Sequence, residues 1–472
     1  MRIGFLSGML FAASFLGTGT AAGEGISGSW HGAIKITPQT ELRLVLNLLS
    51  GEDGTVGVTL DSPDQGVYGI PGEVGFVSND SVSVSVPRIG VGYRARKEDG
   101  KLVGEFSQGS LKCALIMSPG KEALSRPQTP VPPFPYQEKE VKVENRADSV
   151  MLSGTLVLPE GWGRDTPVVV MVTGSGLQNR DEELFGHKPF AVIADWLARK
   201  GIASLRYDDR GCGKSSGNGA VATTADFAYD AAAVVEYLRD NKGFRNVGVL
   251  GHSEGAAIAF MLADCGDCIN KGGDTAVGDR CAVAKRPDFI VALGLPVVRG
   301  DSILADQSEV QLRMGNMHDE VVGAYKDVLL KMYSGMIAEG WEKGGGRIDS
   351  LCAEWPDTPI YASLKANLKK IAATGNPWLE YFIGFSPAAN ISRTKCPAFV
   401  LYGEKDIQVR PSLHMPGFKS LRPDAVVKCY PDLNHLFQHA ASGSVQEYGK
   451  IEETISPEVL EDISSYIQSL YE

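Results

Sequence analysis

The hydrophobic rhythm of the chain changes once, near residue 130. Before that point apolar residues recur at every second position. Leu42, Leu44, Leu46 and Leu48 alternate with other residues, as do Val56, Val58 and Leu60, and then Val82, Val84 and Val86. Leu111, Cys113, Leu115 and Met117 repeat the pattern. A period of two puts these side chains on one face of a strand. Gly51-Glu52-Asp53-Gly54 and Ser78-Asn79-Asp80 break the runs with turn-forming residues. Residues 26–118 are therefore predicted to form a small all-β antiparallel sheet or barrel. That region holds no compact set of catalytic residue types, and His31 beside Trp30 reads as a packed or surface histidine.

Five prolines lie between Arg126 and Pro135. Such a stretch is stiff and extended, so residues 119–136 are predicted to be a linker. From residue 137 to 472 short apolar runs alternate with segments of helical period, the pattern of parallel strands joined by crossover helices. Val168–Val172, Ile202–Leu205, Val247–Leu250, Phe289–Leu293, Pro397–Tyr402 and Ala425–Cys429 are the predicted strands. Pro189–Lys200 is a helix with Phe190, Ile193, Ala194 and Leu197 on one face. Thr224 is the predicted cap of a longer helix carrying Ala228, Ala231, Val235 and Leu238. A final helix ends near Leu470. Residues 301–386 interrupt the alternation with helical pattern and no clear strand. They are predicted to form a lid, with Val321, Tyr325, Leu329, Met332, Trp378, Tyr381 and Phe382 among its apolar residues.

The first 22 residues have a short basic start, an apolar stretch from Ile3 to Leu16, and small residues at Thr20-Ala21-Ala22. This is the build of a cleaved signal peptide, too short in its apolar part to span a membrane. The mature protein is thus expected to be exported, periplasmic or secreted, with no membrane span. The net charge of −11 disfavours nucleic acid or an anionic membrane as partner. Export permits disulfides among the eight cysteines. Cys265, Cys268 and Cys281 cluster in a Gly- and Asp-rich insert, where disulfide, free thiols and metal all stay open. No histidine lies nearby to complete a zinc site, and no metal is assigned.

Gly251-His252-Ser253-Glu254-Gly255 carries the candidate chemistry. It follows the apolar run Val247–Leu250 and precedes the small, helix-compatible run Ala256–Phe260. Strand, sharp turn with serine, then helix is the nucleophile elbow of an α/β-hydrolase. Gly213-Lys214-Ser215-Ser216-Gly217 fits the same short pattern, but it follows the charged Asp208-Asp209-Arg210 and leads into Asn218-Gly219. It reads as a loop, and Asp208-Asp209-Arg210 as a structural turn. Arg210–Ser215 also has Asp208 where a phosphate loop needs its first glycine, so no nucleotide or other cofactor is predicted.

A serine nucleophile needs a base, and the base an orienting acid. In this fold they follow the serine in the order acid, then histidine. His435, directly after the last predicted strand, is the predicted base, ahead of His414 and His439. Asp406, which ends the strand Pro397–Gly403, is the predicted acid, with Glu404 and Asp432 as rivals. Two backbone N–H donors must meet the developing oxyanion. Glu254, the residue after the nucleophile, supplies one. Ser175 in Thr173-Gly174-Ser175-Gly176 supplies the other, with Gly176 as the alternative.

The chain resembles the EstD-like bacterial esterases of the α/β-hydrolase superfamily, a group also labelled serine-aminopeptidase-type (S33) hydrolases. The resemblance rests on Gly174–Glu182, Gly186–Phe190, Arg206–Gly211, Gly251–Gly255, Gly403–Asp406 and Leu433–Gln438. Leu60–Gln65 in the β region and Ile451–Thr454 near the end extend it. It departs from the family at Leu177, where a proline is usual, and in the Cys265–Cys281 insert. The resemblance implies a carboxylesterase acting on small-molecule short-chain acyl esters through Ser253, Asp406 and His435. Two other functions stay open. One is an aminopeptidase or amidase using the same triad, with Glu309, Asp319 and Glu320 as amine anchors. The other is a non-catalytic binding protein of the cell envelope.

Overall fold

The computed structural model describes residues 26–37, 40–50, 56–63, 67–120, 125–264 and 286–472. The predicted signal peptide and the Cys265–Cys281 insert lie outside these residues. The chain divides into two units. One holds residues up to Pro127 with Leu184–His187 and Val445–Glu452; the other holds the remainder.

Eight strands build the first unit: β1 (Gly28–Thr37), β2 (Thr40–Ser50), β3 (Val56–Ser62), β4 (Val67–Val77), β5 (Ser81–Val86), β6 (Val91–Glu98), β7 (Lys101–Gln108) and β8 (Leu111–Pro119). Each pairs with the next in sequence, and Trp30–Pro119 and His31–Ser118 close β1 onto β8 as a barrel. Closure removes exposed sheet edges. The alternation read from sequence points inward: Leu44, Leu46, Leu48, Val58, Leu60, Val82, Val84, Val86, Leu115 and Met117 share one core with Trp30, Tyr93 and Phe106. In the same unit the Arg126 guanidinium donates to the carbonyls of Phe185, Gly449 and Ile451.

The second unit is a mixed eight-stranded sheet: β9 (Gln137–Asn145), β10 (Val150–Leu158), β11 (Val168–Val172), β12 (Ala203–Tyr207), β13 (Val247–His252), β14 (Ile290–Leu293), β15 (Ala398–Gly403) and β16 (Val426–Tyr430). Their spatial order is β16-β15-β14-β13-β11-β12-β10-β9. Strand β10 runs antiparallel to both its neighbours, and from β12 to β16 all pairs are parallel. The central strands β11, β13, β14 and β15 are buried along their whole length. That burial is why they read as continuous apolar runs rather than alternating ones. The edge strand β9 instead opens with the exposed run Gln137-Glu138-Lys139-Glu140 and alternates buried and exposed residues from Val141 on.

The helices around this sheet begin with α1 (Pro189–Arg199), α2 (Thr224–Asp240) and α3 (Glu254–Ala263). Helix α2 is capped by Thr223 rather than Thr224. Thr223 Oγ1 accepts from the Asp226 N–H while Asp226 accepts from the Thr223 N–H, a reciprocal box that a neighbouring threonine cannot form in the same register. Between β14 and β15 lie α4 (Gly300–Met314), α5 (Asp319–Glu339), α6 (Trp341–Gly345), α7 (Ile348–Leu351), α8 (Pro359–Ala373), α9 (Pro377–Gly384) and α10 (Ala388–Arg393). Tyr325, Leu329, Met332, Leu368 and Ile383 form a core of their own in this block. Helix α11 (Pro411–Leu421) joins β15 to β16, α12 (Val445–Tyr448) belongs to the first unit, and α13 (Pro457–Ser469) ends the chain.

Candidate active site

Parallel strands of one sheet end on the same side, and that edge gathers the candidate residues. Ser253 follows β13, the loop Thr173–Gly176 follows β11, Asp406 follows β15, and His435 follows β16. This is where open α/β sheets bind ligands.

Ser253 has φ 54° and ψ −117°, a strained conformation for a residue with a side chain. The strain is held from both sides. Ser253 N–H donates to the Leu293 carbonyl at 2.8 Å, and its own carbonyl accepts from Ala256 N–H at 3.0 Å. Crowding explains the flanking glycines: a Cβ on Gly251 would overlap the Gly255 carbonyl, and one on Gly255 the Val172 carbonyl. The second serine motif has no such geometry. Ser215 Oγ donates to the Asp208 carbonyl at 2.6 Å and accepts from Ser153 N–H, and Ser216 Oγ accepts from Met151 N–H. Both hydroxyls lace a turn to β10.

His435 and Asp406 are 4% and 2% exposed. His435 Nδ1 lies 2.6 Å from Asp406 Oδ2. The other carboxylate oxygen of Asp406 accepts the Gln408 and Val409 amides at 2.7 and 2.8 Å. Those two bonds fix the carboxylate, which fixes the ring. The rivals lie elsewhere: Asp432 pairs with Lys405 at 2.6 Å, and Glu404 is exposed. His414 is buried and its Nδ1 accepts from Val297 N–H at 3.0 Å; burial pushes its pKa down to about 4. His439 is exposed and pairs with Glu453.

The predicted oxyanion loop sits beside the serine. A side chain added at Gly174 would come within 3.3 Å of Ser253 Cβ. Glu254 is the first residue of α3, so its N–H has no acceptor within the helix and lies at the positive end of the helix dipole. Ser175 Oγ donates to Glu254 Oε2 at 2.6 Å, tying the two predicted donors' residues together. Two aspartates pin the loop from behind. Thr173 Oγ1 and Gln178 N–H both donate to Asp209, and Asp208 takes the Arg180 guanidinium at 2.9 Å. Burial raises the pKa of Asp209 well above the usual carboxylate range. Asp208-Asp209-Arg210 is therefore a turn that supports the site, with Arg210 bonded to Asp230 and Asp148.

Sequence reasoning did not reach three contacts. The Glu254 carboxylate, 3% exposed, accepts the Trp378 indole N–H from α9 at 3.0 and 3.1 Å. Burial raises its pKa, and the bonds from Ser175 and Trp378 oppose the rise. A cavity of about 10 Å³ beside it, lined by Thr173, Gly174, Asp209 and Ile258 among others, has room for one water and not for a substrate. His252, the residue before Ser253, lies between Glu182 and the main chain of His435. Its presence in the pentapeptide and that of Glu182 in Gly174–Glu182 were the available signals, but no spacing rule joins residues 70 positions apart.

Strand order, one antiparallel strand, and a serine on a positive-φ turn between strand and helix define the second unit as an α/β-hydrolase. Its resemblance to the EstD-like esterases is supported by two sequence comparisons. The serine aminopeptidase S33 family pattern matches residues 188–270. Esterase EstD of Thermotoga maritima is 34% identical over 134 residues, which are 28% of this chain and 31% of that relative. Among solved structures, an esterase from Pyrococcus furiosus aligns at 17% identity over 71% of this chain and 93% of its own, with TM-score 0.39. A proline iminopeptidase of Mycobacterium smegmatis aligns at 15% identity over 70% and 98%, with TM-score 0.41. Among the described residues no helix is long and apolar enough to cross a membrane, and no group of metal-ligating side chains is present.

Proposed function

We propose that this chain is an exported serine esterase that hydrolyses short-chain acyl esters through a Ser253–His435–Asp406 triad. The observation that carries the proposal is the 2.6 Å His435–Asp406 pair at the same sheet edge as the strained Ser253 elbow. With Nδ1 of His435 held as donor to Asp406, Nε2 is left as the acceptor. It takes the Ser253 hydroxyl proton as Oγ attacks the ester carbonyl carbon. The carbonyl oxygen becomes an oxyanion facing the N–H groups of Glu254 and Ser175, each such donor contributing about 3 kcal/mol to the transition state. The C–O bond to the alcohol breaks, and His435 gives that alcohol its proton. Water then attacks the acyl carbon and loses a proton to His435, the C–O bond to Ser253 Oγ breaks as His435 returns that proton to Oγ, and the acid leaves.

An aminopeptidase with the same triad is the second reading, because the matched family bears that name. The proposed amine anchors are poorly placed for it. Glu309 is bonded to Lys326 and Arg313, Asp319 pairs with Arg313, and Glu320 is exposed. Rates on p-nitrophenyl esters of increasing acyl length, compared with aminoacyl-nitroanilides, decide between them. Faster ester turnover, lost by about 10⁴-fold or more in Ser253→Ala, is expected. Ester hydrolysis that survives Ser253→Ala contradicts the proposal.

A further inference from the structure

Glu182 and His252 are 4% and 7% exposed, and the triad chemistry consumes neither. Glu182 Oε1 accepts the Gly174 N–H at 2.7 Å and lies 3.0 Å from His252 Nδ1. His252 Nε2 lies 3.0 Å from the backbone carbonyl oxygen of His435. Both ring nitrogens thus face oxygen atoms. A carbonyl oxygen cannot donate, so Nε2 carries a hydrogen. Nδ1 faces the Glu182 carboxyl group, and with that group ionised an unprotonated Nδ1 would set two acceptors against each other at 3.0 Å. The imidazolium form satisfies both contacts.

We propose that His252 is a buried imidazolium which, paired with Glu182, is a positioning device for the triad base and the oxyanion loop together. His252 fixes the main chain of His435, and Glu182 fixes the Gly174 amide, so one ion pair sets both against Ser253. The inference rests on the reading of His435 as the catalytic base. The His252 and His435 rings stand 4.7 Å apart and tilted by 44°, so a shift of one displaces the other. Burial opposes charge on His252, yet the Glu182 carboxylate, its hydrogen bond, the His435 carbonyl and the nearby Asp406 carboxylate together hold its pKa above the usual histidine value. Glu182, the His435 ring and Asp406 are the ionisable groups that face it.

Glu182→Gln tests the device. The amide oxygen still accepts from Gly174 and from His252 Nδ1–H, but the counter-charge is gone. Without it His252 loses its proton more easily, so kcat should fall as pH rises through that ionisation. The expected result is an alkaline limb in kcat absent from the wild type, about tenfold lower kcat at pH 8, and KM within about twofold, as for a loss confined to the transition state. Side-chain ¹⁵N NMR of histidine in the wild-type protein reads the charge directly, with His252→Gln identifying the resonance. Both nitrogens should report imidazolium at pH 7. A neutral His252 in the wild type, or a Glu182→Gln variant with wild-type kcat and pH profile, overturns the inference. Should the variant not fold, the wild-type spectrum decides alone. A wild-type protein that neither hydrolyses esters nor reacts with a fluorophosphonate at Ser253 would instead sink the esterase reading, and the spectrum would still report the charge of His252.

Discussion

Trp378 shows how one side chain links chemistry and cover. Its indole N–H reaches both carboxylate oxygens of Glu254, which also receives the Ser175 hydroxyl. The residue proposed to offer a backbone N–H to the oxyanion thus has its side chain held from two directions. Trp378→Phe removes one donor from a buried carboxylate and keeps the ring that stacks on Phe382 at 4.8 Å. A loss of about 1–3 kcal/mol is expected in urea unfolding, with a fall in kcat that exceeds any change in KM. Unchanged stability and kcat would show that the Trp378 bond does not hold the elbow. The sequence pattern places Trp378 among the apolar residues of the lid. Helical spacing gives the apolar face of α9, but it cannot tell whether that face meets helices or the sheet edge.

At the scale of elements, the elbow is the feature most legible in the sequence. An apolar strand, two glycines around a serine and a run of small residues together mark the turn that carries the proposed nucleophile. Gly255→Ala tests this, since its new Cβ would overlap the Val172 carbonyl at the end of β11. A fall in kcat of about 100-fold or more is expected, because a misplaced nucleophile loses near-attack geometry. Wild-type kcat would mean that the crowding is relieved without cost. The proposed acid and base were picked out for a related reason: Asp406 and His435 follow predicted strands, and parallel strands share an edge. The antiparallel pair β9 and β10 was not distinguished, because the charged residues of β9 mark an edge strand that resembles an exposed loop in sequence. Barrel closure was equally unreadable. Alternation gives the inward face of each strand, whereas closure depends on the pairing of β1 with β8, some 90 residues apart.

At the scale of the whole molecule, His414 links stability to acid. His414 Nδ1 accepts a hydrogen bond from the Val297 amide, which requires the lone pair of a neutral ring. Its pKa is held down at about 4, against about 6.5 in an unfolded chain. Below pH 6.5 the unfolded state therefore binds a proton that the folded state refuses. Stability should be intact above about pH 6.5, fall progressively down to about pH 4, and lose no more from this group below that. The full loss is about 3 kcal/mol. His414→Asn should flatten the difference in unfolding free energy across that window relative to the wild type. Parallel curves for the two proteins would exclude His414 as the source.

The proposed chemistry depends on Ser253 as the nucleophile. Reaction of the purified protein with a fluorophosphonate, followed by intact mass and peptide mapping, tests it most directly. The expected result is one adduct per chain, on the peptide carrying Ser253, with ester hydrolysis lost in proportion to labelling. An adduct at Ser215 or Ser216, or full labelling in Ser253→Ala, would contradict it.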